Sequence, residues 1–217
     1  MNKRAMGKTM AGDMGRRRGM VVLNERVNIA APFEKLCWWA DHFEAEFVKW
    51  SPLHLDCDLL SGGIKTGDRV RFREIVMGLD YDVTGTITAS ERDDRHFRFV
   101  FENDNRTAAI MFAGKRTDKG CAFSHTEVFG VRTPVLGPIV NFLIFKVFFR
   151  RKANWTLIRQ DMILDNFLLK DILESGKYPE RIPAGQIMET SPSRLMEKLG
   201  YKKETAARNK YSSRRKD

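Results

Sequence analysis

The alternation of apolar and polar residues predicts that the ordered part of the chain begins with a strand. Val21, Leu23, Val27 and Ile29 share one face of an extended segment, because successive side chains of a strand point to opposite faces. The same alternation turns Glu25 toward that apolar face. We therefore expect a first strand with one acidic residue directed inward.

A helical pattern follows this strand. Pro32 opens it, as proline often does in the first turn of a helix, and the pattern continues to about Val48 with Trp38 and Trp39 in its middle. Pro52 ends it. The spacing predicts one or two short helices between the first strand and the next.

A series of strand-like segments comes next, separated by linkers rich in Asp, Asn and Gly. After a short segment from Leu55 to Leu60, they lie near residues 68–77, 81–90, 95–102, 107–116 and 121–131. Short linkers between consecutive strands favour antiparallel pairing. The middle of the chain is therefore predicted to be one antiparallel sheet.

Residues 138 to 174 contain apolar residues at helical spacing and no glycine after Pro138, so they predict one long helix or two joined helices. Ser175 and Gly176 end this pattern. A curved antiparallel sheet has one apolar face, and only this helix is long enough to cover it. The order of elements predicts an α+β fold with a cavity between the sheet and the C-terminal helix.

The net charge of +10 is concentrated at the two ends of the chain. Residues 1–19 carry +5 and residues 176–217 carry +6, which leaves −1 for residues 20–175. A nucleic-acid-binding domain usually carries its basic charge on its own surface, so we expect no specific nucleic-acid partner. We expect a disordered basic tail at 1–19, a single domain at 20–175, and a partly disordered basic tail at 176–217 with a short helix at 191–199.

Several function classes are unsupported by the sequence. The basic N-terminus lacks the apolar core of a secretory signal, so we expect a cytoplasmic protein. The longest apolar run, Val135 to Phe149, is interrupted by Asn141 and Lys146 and is shorter than the roughly 20 residues of a membrane span. The chain contains no nucleophile elbow, phosphate loop or dinucleotide fingerprint.

Three cysteines, Cys37, Cys57 and Cys121, are spaced too widely for a zinc ribbon or a redox pair. We expect them to be reduced and buried.

One carboxylate lies on the apolar side of a predicted strand. In the run from Arg69 to Val76, the arginines alternate with apolar residues, and Glu74 shares the face of Phe72. A carboxylate that faces a core is costly unless it is paired, protonated or bound to a metal. Either a structural ion pair or a functional site is consistent with this position.

The last helix carries a second inward acid. Leu157, Asp161, Leu164 and Leu168 recur at helical spacing, which places Asp161 on a largely apolar stripe. An N–H or arginine partner, or an edge position beside Arg159 and Asp165, would also explain it.

The order of elements in residues 20–175 resembles the helix-grip fold of START-like and polyketide-cyclase-like (SRPBCC) proteins. The segment Leu136-Gly137-Pro138, followed by a helix containing Asp165-Asn166-Phe167-Leu168-Leu169-Lys170, resembles the C-terminal helix of that superfamily. This fold carries many functions, including lipid carriers, cyclases and hydrolases. The resemblance therefore implies an apolar pocket but no particular reaction.

A narrower resemblance rests on Trp38-Trp39, on Trp50-Ser51-Pro52-Leu53-His54, and on Glu74 between Gly67 and Gly78. These segments are similar to the diacetylphloroglucinol hydrolase family, which cleaves a carbon–carbon bond to an acyl group on an aromatic ring with bound zinc. The resemblance implies that His54 and Glu74 are metal ligands. The family's helix histidine and glutamate correspond to Leu157 and Asp161, so the histidine is replaced.

His125 is the remaining candidate ligand. If the face of Cys121, Phe123 and His125 points inward, His125 and Glu127 line the cavity and His125 could replace the absent helix histidine; parity alone leaves this open. One histidine and two carboxylates satisfy the ligand count of a catalytic zinc site, and they also suit manganese or ferrous iron.

Two functions therefore remain open for the same pocket. The first is a metal-dependent hydrolase of an acylated aromatic or polyketide-like molecule, with His54, Glu74 and Asp161 as catalytic residues and a zinc or other divalent ion. The second is a carrier of a lipid or other hydrophobic small molecule. In both, we expect a ligand-binding wall, and a homodimer is possible in either case. The residues expected in that wall are Trp38, Trp50, Phe72, Phe123, Leu157 and Leu164.

Overall fold

A computed structural model describes residues 20–131, 136–143, 145 and 152–201. The predicted tail at 1–19 and the end of the second predicted tail, 202–217, lie outside the described residues. Within them, no helix is long and apolar enough to cross a membrane.

Seven antiparallel strands form one sheet in the order β1-β7-β6-β5-β4-β3-β2. The strands are β1 Val21–Ile29, β2 His54–Leu59, β3 Arg69–Val76, β4 Leu79–Arg92, β5 His96–Asn103, β6 Ala108–Thr117 and β7 Gly120–Phe129. All strands from β2 to β7 pair with their neighbours in sequence, and β1 closes the order beside β7. The predicted antiparallel sheet is confirmed.

Six helices accompany the sheet in the described part of the chain. They are α1 Phe33–Asp41, α2 Phe43–Trp50, α3 Leu136–Phe142, α4 Lys152–Ser175, α5 Ala184–Ile187 and α6 Pro192–Lys198. The long helix α4 packs against β1, β7 and α2, so it covers the apolar face of the sheet. The sheet and this helix form the predicted helix-grip fold.

The hairpin between β3 and β4 shows how the sequence fixes the register. Met77 and Gly78 have φ angles of 55° and 77°, the left-handed backbone that a two-residue hairpin turn requires. With this tight turn, Glu74 lies opposite Tyr81 and the arginines of β3 lie opposite polar residues of β4. The register therefore keeps Glu74 on the inner face.

The core between sheet and helices is aromatic. Trp39 lies edge-on to Phe43, Trp50 and Phe123 at ring-centroid distances of 5.4, 5.0 and 5.6 Å, a geometry that aromatic pairs prefer. The three cysteines are free and buried, as expected.

The segment after α4 differs from the polar tail that its composition predicts. The expected short helix is present as α6, capped by the Ser191 hydroxyl, which accepts from the Arg194 N–H at 3.3 Å. Ile187, Leu195 and Met196 are buried in the main core. The helix α6, which carries Leu195 and Met196, packs against α4.

Candidate functional site

A cavity of about 390 Å3 lies between the inner face of the sheet and α4. Most of its wall is aromatic or aliphatic, including Phe47, Trp50, Phe72, Phe101, Ile110 and Phe112. The hairpin residues Met77 and Leu79 and the half-buried Trp155 also line it. Protein interiors are normally close-packed, so an unfilled space of this size is typical of a ligand site.

Polar side chains gather in one part of this wall. They are His54, Glu74, His125, Glu127, Asp161 and Asp165. His54 lies directly opposite Glu74 in the pairing of β2 with β3, and His125 and Glu127 follow each other on the inward face of β7. The face of Phe123 and His125 therefore points inward, which decides the alternative that parity left open.

His54 is the centre of this group. Its Nδ1 lies 2.8 Å from the carbonyl oxygen of Phe47, so that nitrogen carries the hydrogen and donates it. The ring also stacks on Phe47 at 4.0 Å. Its Nε2 consequently faces two acids, with Asp165 Oδ2 at 3.4 Å and Glu74 Oε2 at 3.7 Å.

Burial and charge act against each other on His54. Burial favours the neutral ring, but the charges of Asp165 and Glu74 and the hydrogen bond to Asp165 outweigh it and raise the pKa of His54 above its ordinary value. The imidazole is therefore stabilised as a cation between the two acids.

For the acids, burial outweighs the effect of the nearby positive charge. Burial, with Glu127 and Asp165 nearby, raises the pKa of Glu74 to about 7, although the charge of His54 partly offsets this. The pKa of Asp161 is raised well above its usual range, first by burial and then by Asp165, Glu74 and Glu127. These carboxyls lie close to one another, and the described cavity wall holds no lysine or arginine beside them.

Trp50 holds the helix in position beside this group. Its indole Nε1 donates a hydrogen bond of 2.7 Å to the backbone carbonyl of Asp165. From the C-terminal segment, Arg181 donates to the carbonyl oxygens of Ser51 at 3.0 Å and His54 at 2.9 Å. The segment from Trp50 to His54 is therefore held by hydrogen bonds to α4 and to the C-terminal segment.

The structure brings together the four residues that the sequence suggested as metal ligands, His54, Glu74, His125 and Asp161, in one cavity wall. Among the described residues, however, no group of three or more histidine, cysteine, aspartate or glutamate side chains has the arrangement of a metal site. The His54–Glu74 separation suits a shared ion with bonds of about 2.0 to 2.2 Å. In their present positions, the four side chains together do not have the arrangement of a metal site.

Only some of the residues predicted for the binding wall line the cavity. Trp50 and Phe72 line the cavity. Trp38 is 48% exposed and stacks on His42, because Trp39 takes the inward position on the same turn. Phe123, Leu157 and Leu164 are not among the described residues of the wall.

The residues of α4 that line the cavity share Asp161 with the predicted stripe but otherwise lie one position further along the helix. Ile158, Asp161 and Asp165 line the cavity, whereas Leu164 is buried in the main core. Asp165 is a residue of the cavity wall that the sequence analysis did not name as a site candidate. Its spacing of four residues from Asp161 was the available signal, because residues i and i+4 share a helix face.

The inward Glu25 of β1 has a simpler explanation. It pairs with Arg159 of α4 by a salt bridge between the guanidinium and the carboxylate. This acid is therefore part of the contact between sheet and helix and does not line the cavity.

No protein-family model and no curated protein matches this chain. Solved structures do match it. The polyketide-cyclase-like protein Cgl2372 from Corynebacterium glutamicum is 16% identical, with a TM-score of 0.44 over 74% of this chain and 98% of that one. Ara h 8.0201 is 10% identical, with a TM-score of 0.49 over 71% and 97% of the two chains.

The major latex-like protein 151 from Panax ginseng is 15% identical, with a TM-score of 0.42 over 63% of this chain and 97% of that one. At these identities the likeness concerns the fold alone.

Proposed function

We propose that the protein binds a hydrophobic small molecule in the cavity between the sheet and α4. The cavity itself carries this proposal. A space of about 390 Å3 lined mostly by aromatic and aliphatic side chains is large enough for a small organic ligand. The surrounding aromatic core is well packed, so the space is a feature of the fold and not of a loose interior.

Prodan, a neutral naphthalene fluorophore without a hydrogen-bond donor, tests this function. We expect saturable binding with enhanced emission, because the fluorophore leaves water for an apolar wall. In Ile110→Trp, an indole on the cavity wall occupies the space, and affinity should fall at least about tenfold. Val22→Trp is the control, since Val22 is 44% exposed on β1 and is not in the cavity wall.

Two results would contradict the proposal. One is the absence of saturable prodan binding to a folded protein. The other is equal binding by Ile110→Trp and the parent protein while the circular dichroism and melting temperature of both remain similar.

A metal-dependent hydrolase is the second candidate function. One observation favours it: Nε2 of His54 faces carboxylate oxygens of both Asp165 and Glu74 within 3.7 Å. Because the surrounding set does not have the arrangement of a metal site, ion binding would require the side chains to move.

Metal analysis of protein purified without chelator tests this candidate, together with melting in the presence of Zn2+, Mn2+ or Fe2+. Stabilisation that is lost in His54→Ala would support it. Unchanged melting with all three ions and with chelator would remove it.

A further inference from the structure

The acidic part of the cavity wall indicates which head group the bound molecule carries. Four carboxyl groups and two imidazoles line the described cavity, and no lysine or arginine is among these lining residues. Even with both imidazoles protonated, the acids outnumber the cations. The remaining wall is largely apolar. The cavity thus combines an apolar space with a site that has an excess of hydrogen-bond acceptors.

Unpartnered buried atoms in this site point to a ligand. Asp165 is only 4% exposed at its side chain, and its Oδ1 has no hydrogen-bond partner among the residues that the structure describes. The Oδ1 of Asp161 is also buried without a partner. A buried acceptor without a donor costs free energy, and both carboxyls lie in the cavity wall.

The two histidines do not supply the missing donors. His54 already directs Nδ1 at the Phe47 carbonyl and Nε2 at Asp165 and Glu74. His125 lies 3.2 Å from Glu127 but makes no hydrogen bond through either ring nitrogen. Within the described part of the chain, the acceptors on α4 are therefore left without a donor.

We propose that the ligand is an apolar molecule that carries a protonated amine, with the amine directed at Asp161 and Asp165 and the apolar body against the aromatic wall. This inference rests on the proposed binding function and adds the class of ligand to it. An ammonium group supplies donors and positive charge together, and the described wall contains no lysine or arginine that would do so. A ligand carboxylate of the same size would meet like charge in the same place.

Three compounds with the same decyl chain and different head groups test the inference: decylamine, decanol and decanoate. Each compound is added at pH 7 as a competitor of prodan, at a concentration below its own critical micelle concentration. Alkyl amines keep their proton at this pH, as lysine does. We expect decylamine to bind at least about tenfold more tightly than decanoate, with decanol between them. The positive charge at the two ends of the chain favours decanoate over decylamine outside the cavity, so it works against the expected preference for the amine.

Two variants connect the preference to the site. Asp161→Asn should reduce the ratio of amine to acid affinity several-fold, whereas Asp58→Asn, a change at an exposed acid outside the cavity, should leave it unchanged. Because the comparison of the three compounds is made on the parent protein, it stands even if Asp161→Asn fails to fold.

The outcomes separate the inference from the function on which it rests. Equal or tighter binding of decanoate, with prodan still bound, overturns the inference and leaves the proposed function intact. A ratio that does not change in folded Asp161→Asn also overturns it. Absence of binding by prodan and all three decyl compounds overturns the proposed function and the inference together.

Discussion

Charged side chains on the two faces of β3 have opposite surroundings. On the outer face, Arg71 bonds to Asp82 and Asp58, and Arg73 bonds to Asp80. These side chains are between a third and a half exposed. Each positive charge there has at least one acid beside it, and the pKa values of Asp80 and Asp82 are lowered by their hydrogen bonds to arginine.

On the inner face, Glu74 is 15% exposed and shares His54 with Asp165. Four further ionisable side chains, Tyr81, His125, Glu127 and Asp161, lie in the same cavity wall, and arginine and lysine are missing from the described lining. The pKa of Glu74 is raised instead of lowered. The contrast shows that paired surface charge is compatible with structure alone, whereas crowded buried acids indicate a site with a function.

The largest difference between the faces should appear when one partner is removed from each. His54→Ala leaves Asp165, Glu74 and the Phe47 carbonyl without their shared partner in a buried place. We expect a loss of about 3 to 5 kcal/mol in the free energy of unfolding, measured by urea denaturation. Arg73→Ala on the outer face is the matched control and should not shift the urea midpoint measurably. Similar midpoints for the two variants would contradict this.

The inner face should also make stability depend on pH. The pKa of Glu74 is about 7 in the folded chain against an ordinary value of 4.5, so between these values the folded state holds a proton that the unfolded state has released. Stability should therefore fall as the pH rises through this window, by about 3 kcal/mol from Glu74. The raised pKa of His54 acts in the same direction, because its contribution is complete below the unfolded value and lost above the folded one.

Urea denaturation at several pH values measures this slope. Glu74→Gln removes one titrating group and should flatten the curve, whereas Asp80→Asn, an exposed change on the neighbouring strand, should leave its shape unchanged. A parent protein that becomes more stable between pH 5 and 7 would show that the sign is wrong.

The inner face of β3 was predictable because strand parity is a local property. The alternation of arginine with Val70, Phe72 and Glu74 needs only the sequence and the tight turn at Gly78. The pairing of His54 with Glu74 was implied by the family resemblance and agrees with the β2–β3 register. The inward position of Glu74 therefore followed from short-range information, whereas its pairing with His54 followed from the resemblance.

The half of the site on α4 was not predictable in the same way. Two overlapping stripes contain Asp161, one with Leu157 and Leu164 and the other with Ile158 and Asp165, and both are compatible with helical spacing. The choice depends on how the helix is rotated against the sheet, which is a property of tertiary packing. Tertiary packing also decides the position of Phe123. Its side chain points inward, but it packs against Trp39 and Phe112 and is not among the described residues of the cavity wall.

A smaller effect should come from the segment that holds the His54 loop. Arg181 bonds to the carbonyl oxygens of Val48, Ser51 and His54, so its removal leaves three acceptors of that loop without this donor. We expect Arg181→Ala to lower the free energy of unfolding by about 1 kcal/mol, a value reduced by its partial exposure to water. Prodan affinity should also fall. Lys177→Ala, at an exposed position of the same segment, is the control.

The smallest effect, and the only stabilising one, should come from Asp161→Asn. The buried Oδ1 of Asp161 has no hydrogen-bond partner, and burial together with Asp165, Glu74 and Glu127 raises the pKa of this carboxyl. The amide keeps the shape of the side chain and removes a charge that the site does not compensate. At pH 8 we expect a gain of about 1 kcal/mol in the free energy of unfolding.

This gain is limited because the acid can take up a proton instead of remaining charged. At pH 5 the parent side chain is closer to neutral, so the difference between Asp161→Asn and the parent should shrink. Asp82→Asn on the outer face should not stabilise at either pH, since it removes an acid that is bonded to Arg71. If Asp161→Asn destabilises at pH 8 as well as at pH 5, the carboxylate makes a favourable interaction in the folded protein, and the contrast between the two faces fails at this residue.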